Sequence, residues 1–299
     1  MTILIIGSKG FIGSHALNYF KAKNYIVFAC DVVFDYTSEN YYLIDATNAN
    51  FQEIFERQQY DVCINCSGAA SVPESIIYPN RDFELNVANV YKILDAIRKY
   101  QNSCKFINIS SAAVYGNPMD LPIKENAPVQ PVSPYGNHKL MAESILKEFH
   151  TYFGIPSISL RLFSVFGPGL RKQLFWDLYN KMQVASDSIS LIGTGKESRD
   201  YIYIADVTQA LDIIISNCDF NGGAINVANG IETSICEAVE TFATAFCWKG
   251  GIHFTQKQRQ GDPLNWRADI TLLKKFGYVQ KYSLEDGLKA YTQWLKEKI

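Results

Sequence analysis

The chain has 299 residues, of which 47% are hydrophobic and 19% charged, and it carries a formal net charge of −2. That balance excludes a disordered chain, and the near-neutral charge, with no block of like charges, gives no reason to expect a nucleic-acid partner or an acidic membrane surface. No apolar run approaches the roughly 20 residues needed to span a bilayer. "MTILIIG" lacks the basic start and long apolar core of a secretory signal, so a cytoplasmic protein is expected.

The first predicted element is a strand, "ILIIG", which turns at once into a helix near Phe11–Lys21. Between them stand Gly7, Gly10 and Gly13. This spacing suits a tight turn, a close backbone approach to a pyrophosphate and close helix–strand packing, with the helix N-terminus facing the phosphates. Lys9, Phe11 and Ile12 fall in the same loop and first turn. The second strand, "YIVFACD", ends at Asp31, where an acid would meet the adenosine ribose hydroxyls and repel a 2′-phosphate. Asp31 therefore favours NAD over NADP, with Lys9 a counter-argument because an ammonium there could reach a phosphate. Asp45 and Ala46, at the end of "YYLID", are weaker candidates for the adenine end.

A helix over "NFQEIFERQQY" and a strand "DVCINCS" follow. Cys63 and Cys66 form a C-x-x-C, but residues three apart on a strand face opposite ways, and no second Cys/His pair with ligand spacing follows. Strand packing accounts for them, and no metal is expected. The seven cysteines sit mostly in apolar runs, as reduced buried thiols do. Next come a long helix around Arg81–Tyr100, the strand "KFINISS", a helix over "YGNHKLMAESILKEFHTYF" and the strand "SISLRLF". Strands alternating with helices predict a parallel sheet covered on both faces, a Rossmann-type doubly wound α/β fold.

After about Ser164 that rhythm breaks. A helix behind "GPG", two short strands in "SISLIGTGKESRDYIYI", a helix "DVTQALDIIIS", a strand "GAINVAN" and a mixed tail predict a smaller, discontinuous α/β domain. The expected division is 1–163 with 201–228 for the dinucleotide, and 164–200 with 229–299 for the substrate.

"SPYGNHKLMAE" places Tyr135 and Lys139 four apart on one helix face, at the start of the helix after the strand ending in serines. A free tyrosine, with a pKa of about 10, is a poor base at neutral pH. A neighbouring ammonium and an oxidised nicotinamide both favour its phenolate.

Taken together, "GSKGFIGSH", Asp31, "CSGAASVPES", "ELNVANV", "ISSAAVYGNP", "SPYGNHK", "LRLFSVFGPG", "GTGKESRDYIYIADV" and "KQRQGDPLNWRAD" resemble the extended short-chain dehydrogenases/reductases, specifically the nucleotide-sugar epimerases and dehydratases, over nearly the whole chain. The resemblance implies NAD as cofactor, a nucleotide-sugar substrate and a homodimer formed through the long helix around Arg81–Tyr100 and the helix of Tyr135. It implies Ser111, Tyr135 and Lys139 as the catalytic set, with Ser111 bonding the reacting sugar oxygen. Cys66, Ser67, Gly68, Asn86, Ile109 and Ser110 would lie along the cofactor with Tyr135 and Lys139. Ser71, Val72, Ser111, Ala112, Ser164, Arg199, Tyr201, Arg259 and Asp262 would face the substrate. Ser164 stands where many relatives have asparagine, and Trp266 stands where relatives place residues that limit bulk in the sugar pocket.

By the same resemblance, 4,6-dehydratases carry an Asp–Glu pair after the active-site hydroxyl, and decarboxylases keep a glutamate there. Here those positions are Ala112 and Ala113. Elimination is thereby disfavoured, and inversion at C4 through a transient 4-keto sugar is the expected reaction. A 4-keto-sugar reductase consuming NAD(P)H is the alternative. A catalytically silent NAD(P)-binding regulator is the third reading, opposed by the presence of both Tyr135 and Lys139.

Overall fold

The computed structural model describes residues 1–257 and 264–298. Its centre is a sheet of seven strands: β1 (Thr2–Ile6), β2 (Ile26–Asp31), β3 (Tyr41–Leu43), β4 (Val62–Asn65), β5 (Lys105–Ser111), β6 (Ser157–Leu162) and β7 (Asn221–Val227). Their order is β7-β6-β5-β4-β1-β2-β3, and every pairing is parallel. Strands buried on both faces need apolar side chains on both. Ile3, Ile5, Val62, Ile64, Ile107 and Ile109 enter one core, while Leu4, Ile6, Cys63 and Phe106 enter the other. Strand order reverses between β1 and β4, so their carboxyl ends open a crevice at the position where such sheets hold ligands.

Helix α1 (Phe11–Ala22) follows β1 directly. The expected long helix begins as Pro79–Phe83, passes through a π-helical turn at Glu84–Ala88 and continues as α2 (Asn89–Tyr100). Val90, Ile93, Leu94 and Ile97 of α2 are buried at helical spacing. Helix α3 (Pro134–Phe153) starts where the Ser133 side chain accepts the Gly136 N–H at 3.1 Å, with Pro134 in its first turn. It stops at Gly154, whose φ of +68° is left-handed.

Beyond β6 lie α4 (Gln173–Val184), α5 (Ile204–Asn217), α6 (Ile235–Phe246) and α7 (Leu284–Lys298). The expectations above contain no counterpart of α6, although its capping pattern is readable: Ser234 accepts the N–H of Glu237 at 3.1 Å. The strands of this lobe pair two by two, Ser164–Phe166 with Tyr201–Tyr203, Ser198–Arg199 with Thr233–Ser234, and Ser188–Leu191 with Gly251–Phe254. The core on one face of the main sheet runs on into the lobe through Phe166, Phe175, Phe242, Trp266 and Tyr291. Asp200, fully buried, ties the lobe's segments together by accepting the N–H groups of Asn229, Gly230 and Ala268. Burial pushes its carboxyl up to about 7 even so.

Candidate active site

The glycine loop is shaped by contacts that leave no room for side chains. Gly7 has φ +79°, and a Cβ there would lie 2.5 Å from the Ser67 nitrogen, on the turn that follows β4. A Cβ on Gly13 would lie 2.1 Å from the Gly7 carbonyl oxygen. Gly10 is the N-cap of α1 and offers no side-chain cap, and the first turn holds no acidic residue. The leading N–H groups of α1 therefore face the crevice without a side-chain acceptor, as an anion site at a helix N-terminus requires. Phe11 packs edge-on against His15, and Ile12 rests on the sheet core.

Asp31 ends β2 and is 8% exposed. Its carboxylate accepts the N–H of Lys9 at 2.8 Å, of Val32 at 2.7 Å and of Val33 at 3.3 Å, which aims it at the crevice beside the glycine loop. The Lys9 ammonium pairs with Asp35 and lies 5.4 Å above the Tyr41 ring. Lys9 holds the Asp35 carboxyl well below the usual range, with the Thr37 and Ser38 groups adding to it. The charge that argued against NAD is thus engaged elsewhere. Asp45 and Ala46 are exposed, and Asp45 is bound into its own turn by Thr47 and Asn48.

On the other side of the switch point, Cys66 continues from β4 and donates its N–H to Ile6. Its thiol is pushed up to about 12 by burial, so it is an inert side chain beside the crevice. Cys63 points into the opposite core. Ser67 bonds to the Asn65 side chain at 2.5 Å. Gly68 has φ +122°, and a Cβ there would come within 2.5 Å of Asn86 Oδ1. Asn86 lies in the π-helical turn, where its Nδ2 donates to Ala69 while the buried Oδ1 has no partner among the described residues. An orphaned acceptor beside a glycine-lined groove fits a bound ligand carrying a donor.

Ser111, Tyr135 and Lys139 meet at the end of β5. Ser111 caps the short 3₁₀ turn Ala112–Tyr115 by accepting the Ala113 N–H at 3.1 Å, and its hydroxyl reaches the Tyr135 phenol. Burial pushes Tyr135 up to about 12, against the pull of Ser111, and the Asp82 carboxylate adds to the rise. The protein alone therefore keeps the phenol protonated at neutral pH. Lys139 is 5% exposed, donates to the Ile109 carbonyl at 2.8 Å and stands 5.8 Å from the Tyr135 ring centre. Desolvation lowers it to about 8, partly offset by Asp82, Cys66 and Glu143.

Several supporting groups were not among the expected site residues. Ser75, fully buried, accepts the backbone N–H of Tyr135 at 3.1 Å. Asp82 receives His138 Nδ1 at 2.6 Å, next door to Lys139. Glu143, one turn beyond Lys139, binds the Ser110 hydroxyl at 2.6 Å and Arg161 at 2.7 Å. Arg161 in turn reaches Tyr115, whose hydroxyl bonds Asn226. The i, i+4 step from Lys139 to Glu143 is visible in sequence; the partners across the sheet are not.

On the substrate side, Ser71 caps the helix Val72–Ile77. Ala112 is fully buried in the core and Ala113 nearly so. Ser164 and Tyr201 are register partners, with Tyr201 buried against Phe166 and Phe175. Arg199 stacks 5.5 Å from the Trp266 ring and donates to the Leu264 carbonyl. Trp266 is itself 9% exposed, with its indole N–H on the Gly116 carbonyl at 3.0 Å and Phe163 at its edge. Arg259 and Asp262 lie outside the described residues. Among the described residues no cluster of three or more His, Cys, Asp or Glu side chains is arranged to hold a metal.

A sequence profile of the NAD dependent epimerase/dehydratase family matches residues 3–228. A putative UDP-glucose 4-epimerase of Methanocaldococcus jannaschii is 28% identical over 98% of this chain and 98% of its own. Among solved structures, the UDP-N-acetylglucosamine 4-epimerase of Methanobrevibacter ruminantium in complex with UDP-N-acetylmuramic acid superposes with a TM-score of 0.89 at 26% identity, covering 100% of this chain and 99% of that one. The UDP-glucuronic acid 4-epimerase of Bacillus cereus with UDP-glucuronic acid and NAD gives 0.89 at 25% identity, covering 99% of each chain.

Proposed function

The chain belongs to the NAD-dependent epimerase/dehydratase family, and from that premise we propose that it inverts C4 of a nucleotide-diphosphate sugar through a transient 4-keto sugar. The observation that carries this reading is the juxtaposition of Ser111, Tyr135 and Lys139 with only Ala112 and Ala113 beyond the serine. The set can move one proton at one hydroxyl, and it holds no second acid in the place where elimination would need one.

The residues divide the work by position. Tyr135 takes the proton of the C4 hydroxyl and later returns it. Ser111 donates a hydrogen bond to the same sugar oxygen and keeps it in line with the phenol. Lys139 sets its ammonium beside the phenol ring, where it would also hold the nicotinamide ribose. NAD bound in this crevice would supply the hydride acceptor that oxidation and re-reduction at C4 require. Asp31 would hold the adenosine ribose, the Gly7–Gly13 loop the pyrophosphate, and Asn86 the cofactor near Gly68. Since the hydride comes from and returns to the same sugar carbon, the protein gains by keeping its cofactor through the cycle.

Arg199, Ser164 and Tyr201, with Arg259 and Asp262, would meet the nucleotide diphosphate, and Ser71 and Val72 the sugar. Trp266 would bound the pocket. The proposed division of labour sets residues 1–163 and 201–228 to the cofactor and residues 164–200 and 229–299 to the nucleotide sugar. The proposed assembly is a homodimer.

The test is to purify the protein without added cofactor, denature it and quantify released nucleotide. Near-stoichiometric NAD is the result expected. An empty site that binds NADPH tightly and reduces a 4-keto sugar would replace the epimerase reading with the reductase one.

A further inference from the structure

One cation enters the crevice from the second lobe and takes no part in the assignments above. The chain leaves the strand Ser164–Phe166 through Gly167, Pro168 and Gly169, and this turn is fastened to α1. His15 Nε2 lies 2.8 Å from the Pro168 carbonyl oxygen. A Cβ on Gly169 would stand 3.7 Å from the Phe11 ring and 3.8 Å from His15. Three residues later Lys172, the N-cap of α4, extends to the turn after β4, where its Nζ lies 3.4 Å from the Ala70 carbonyl oxygen. That distance is long for an ammonium, so one acceptor leaves most of its donor capacity unused.

Three walls meet at this ammonium: the turn fastened to the first helical turn of α1, the Gly68–Ser71 turn after β4, and the helix carrying Lys139. These are the walls of the switch-point crevice. Lys172 is reached by solvent, yet its surroundings desolvate it and hold its pKa below the ordinary lysine value, with Glu74 pulling the other way. Its charge also opposes that of Lys139. Two ammonium groups near one groove, close to a helix N-terminus that has no side-chain cap among the described residues, suit an anion with more than one oxygen to share.

We propose that Lys172 is a cofactor-binding residue, reaching from the second lobe across the crevice to the pyrophosphate of NAD. The lobe that would receive the sugar nucleotide thereby also grips the cofactor, and cofactor retention depends on both halves of the molecule. This rests on the NAD site and not on which sugar reaction follows it, so loss of the epimerase reading would leave it standing.

The experiment uses cofactor-stripped full-length protein and measures Kd for NAD, for ADP-ribose and for UDP by titration calorimetry, in wild type, Lys172→Ala and Lys172→Arg. Loss of one charge-assisted contact predicts that Lys172→Ala weakens NAD and ADP-ribose equally, by about 10- to 100-fold. UDP should bind unchanged, and Lys172→Arg should recover most of the loss. Unchanged NAD affinity in Lys172→Ala overturns the proposal. So does a loss seen with NAD but not ADP-ribose, which would place the lysine at the nicotinamide. A loss confined to UDP also overturns it, because the lysine would then serve the substrate diphosphate. Circular dichroism and melting of each variant establish that the fold is retained.

Discussion

Asp31 and Arg199 stand for two ways of building one cleft. Asp31 is held by its own neighbourhood: Val32 and Val33 follow it in sequence, and Lys9 comes from the adjacent strand–helix turn. Arg199 is held from far along the chain, by the Leu264 carbonyl and the Trp266 ring. The cofactor half repeats this local logic in the glycine loop and in the helix of Tyr135 and Lys139. The half proposed for the substrate is assembled from paired short strands and from Asp200, which accepts N–H groups at 229, 230 and 268. Local construction yields motifs with fixed spacing; assembled construction yields contacts with none.

Breaking the comparison starts with the largest effect. Tyr135→Phe keeps the ring, its packing and the backbone bond to Ser75, and removes only the proton acceptor. Turnover should fall by about 10²- to 10⁴-fold with the melting curve unchanged. Substantial residual turnover would show that the proton leaves by another group.

Arg161 sharpens the contrast because it is an assembled contact within the residues proposed to hold the cofactor. It ties Glu143 and Ser110, behind the catalytic helix, to Tyr115 and Asn226. Arg161→Leu leaves Glu143 buried without its partner, and stability to denaturant should drop by about 3–5 kcal/mol. Simultaneous replacement of Glu143 by Gln should recover part of that loss, which a purely steric effect of leucine would not allow.

Asp31→Ala comes next. It should weaken NAD by about 10- to 100-fold while leaving NADP little changed, because a ribose acceptor and a source of repulsion toward a 2′-phosphate disappear together. An unchanged ratio of the two affinities would move the discriminating group elsewhere.

The smallest effect is one of pH. Burial holds Lys139 at about 8, so its ammonium loses its proton as pH rises through that value, well before an exposed lysine would. Binding of NAD to cofactor-stripped protein should weaken several-fold between pH 7 and pH 9, about the loss of one ionic contact. Lys139→Met should flatten that profile.

The same contrast explains what the sequence revealed. The alternation of strands and helices, the glycine loop, the acid at Asp31 and the i, i+4 pair Tyr135–Lys139 follow from short-range spacing that a reader can count, whereas Ser111 is placed beside them only by the resemblance. Helix α6 escaped although Ser234 and Glu237 supply its capping signal, because no strand-to-helix rhythm frames it. Ser75, Asp82 and Arg161 escaped for a different reason: their partners are 60, 56 and 18 residues away. Only the folded chain brings them to the site. The rise of the Tyr135 phenol is a property of the folded chain, since burial and the Asp82 carboxylate set it and neither can be counted from spacing. Trp266, open in sequence to stacking or to closing off large substituents, is buried with its indole N–H on the Gly116 carbonyl and the Arg199 guanidinium over its ring.

The central claim is tested most directly by proton NMR of the protein in D₂O with UDP-glucose, UDP-N-acetylglucosamine and UDP-glucuronic acid, without added cofactor. The account predicts that at least one is converted to an equilibrium mixture of C4 epimers with no deuterium at C4, because the hydride never leaves the site. Accumulation of a 4-keto-6-deoxy sugar, deuterium at C4, or turnover only when NADPH is consumed would contradict it.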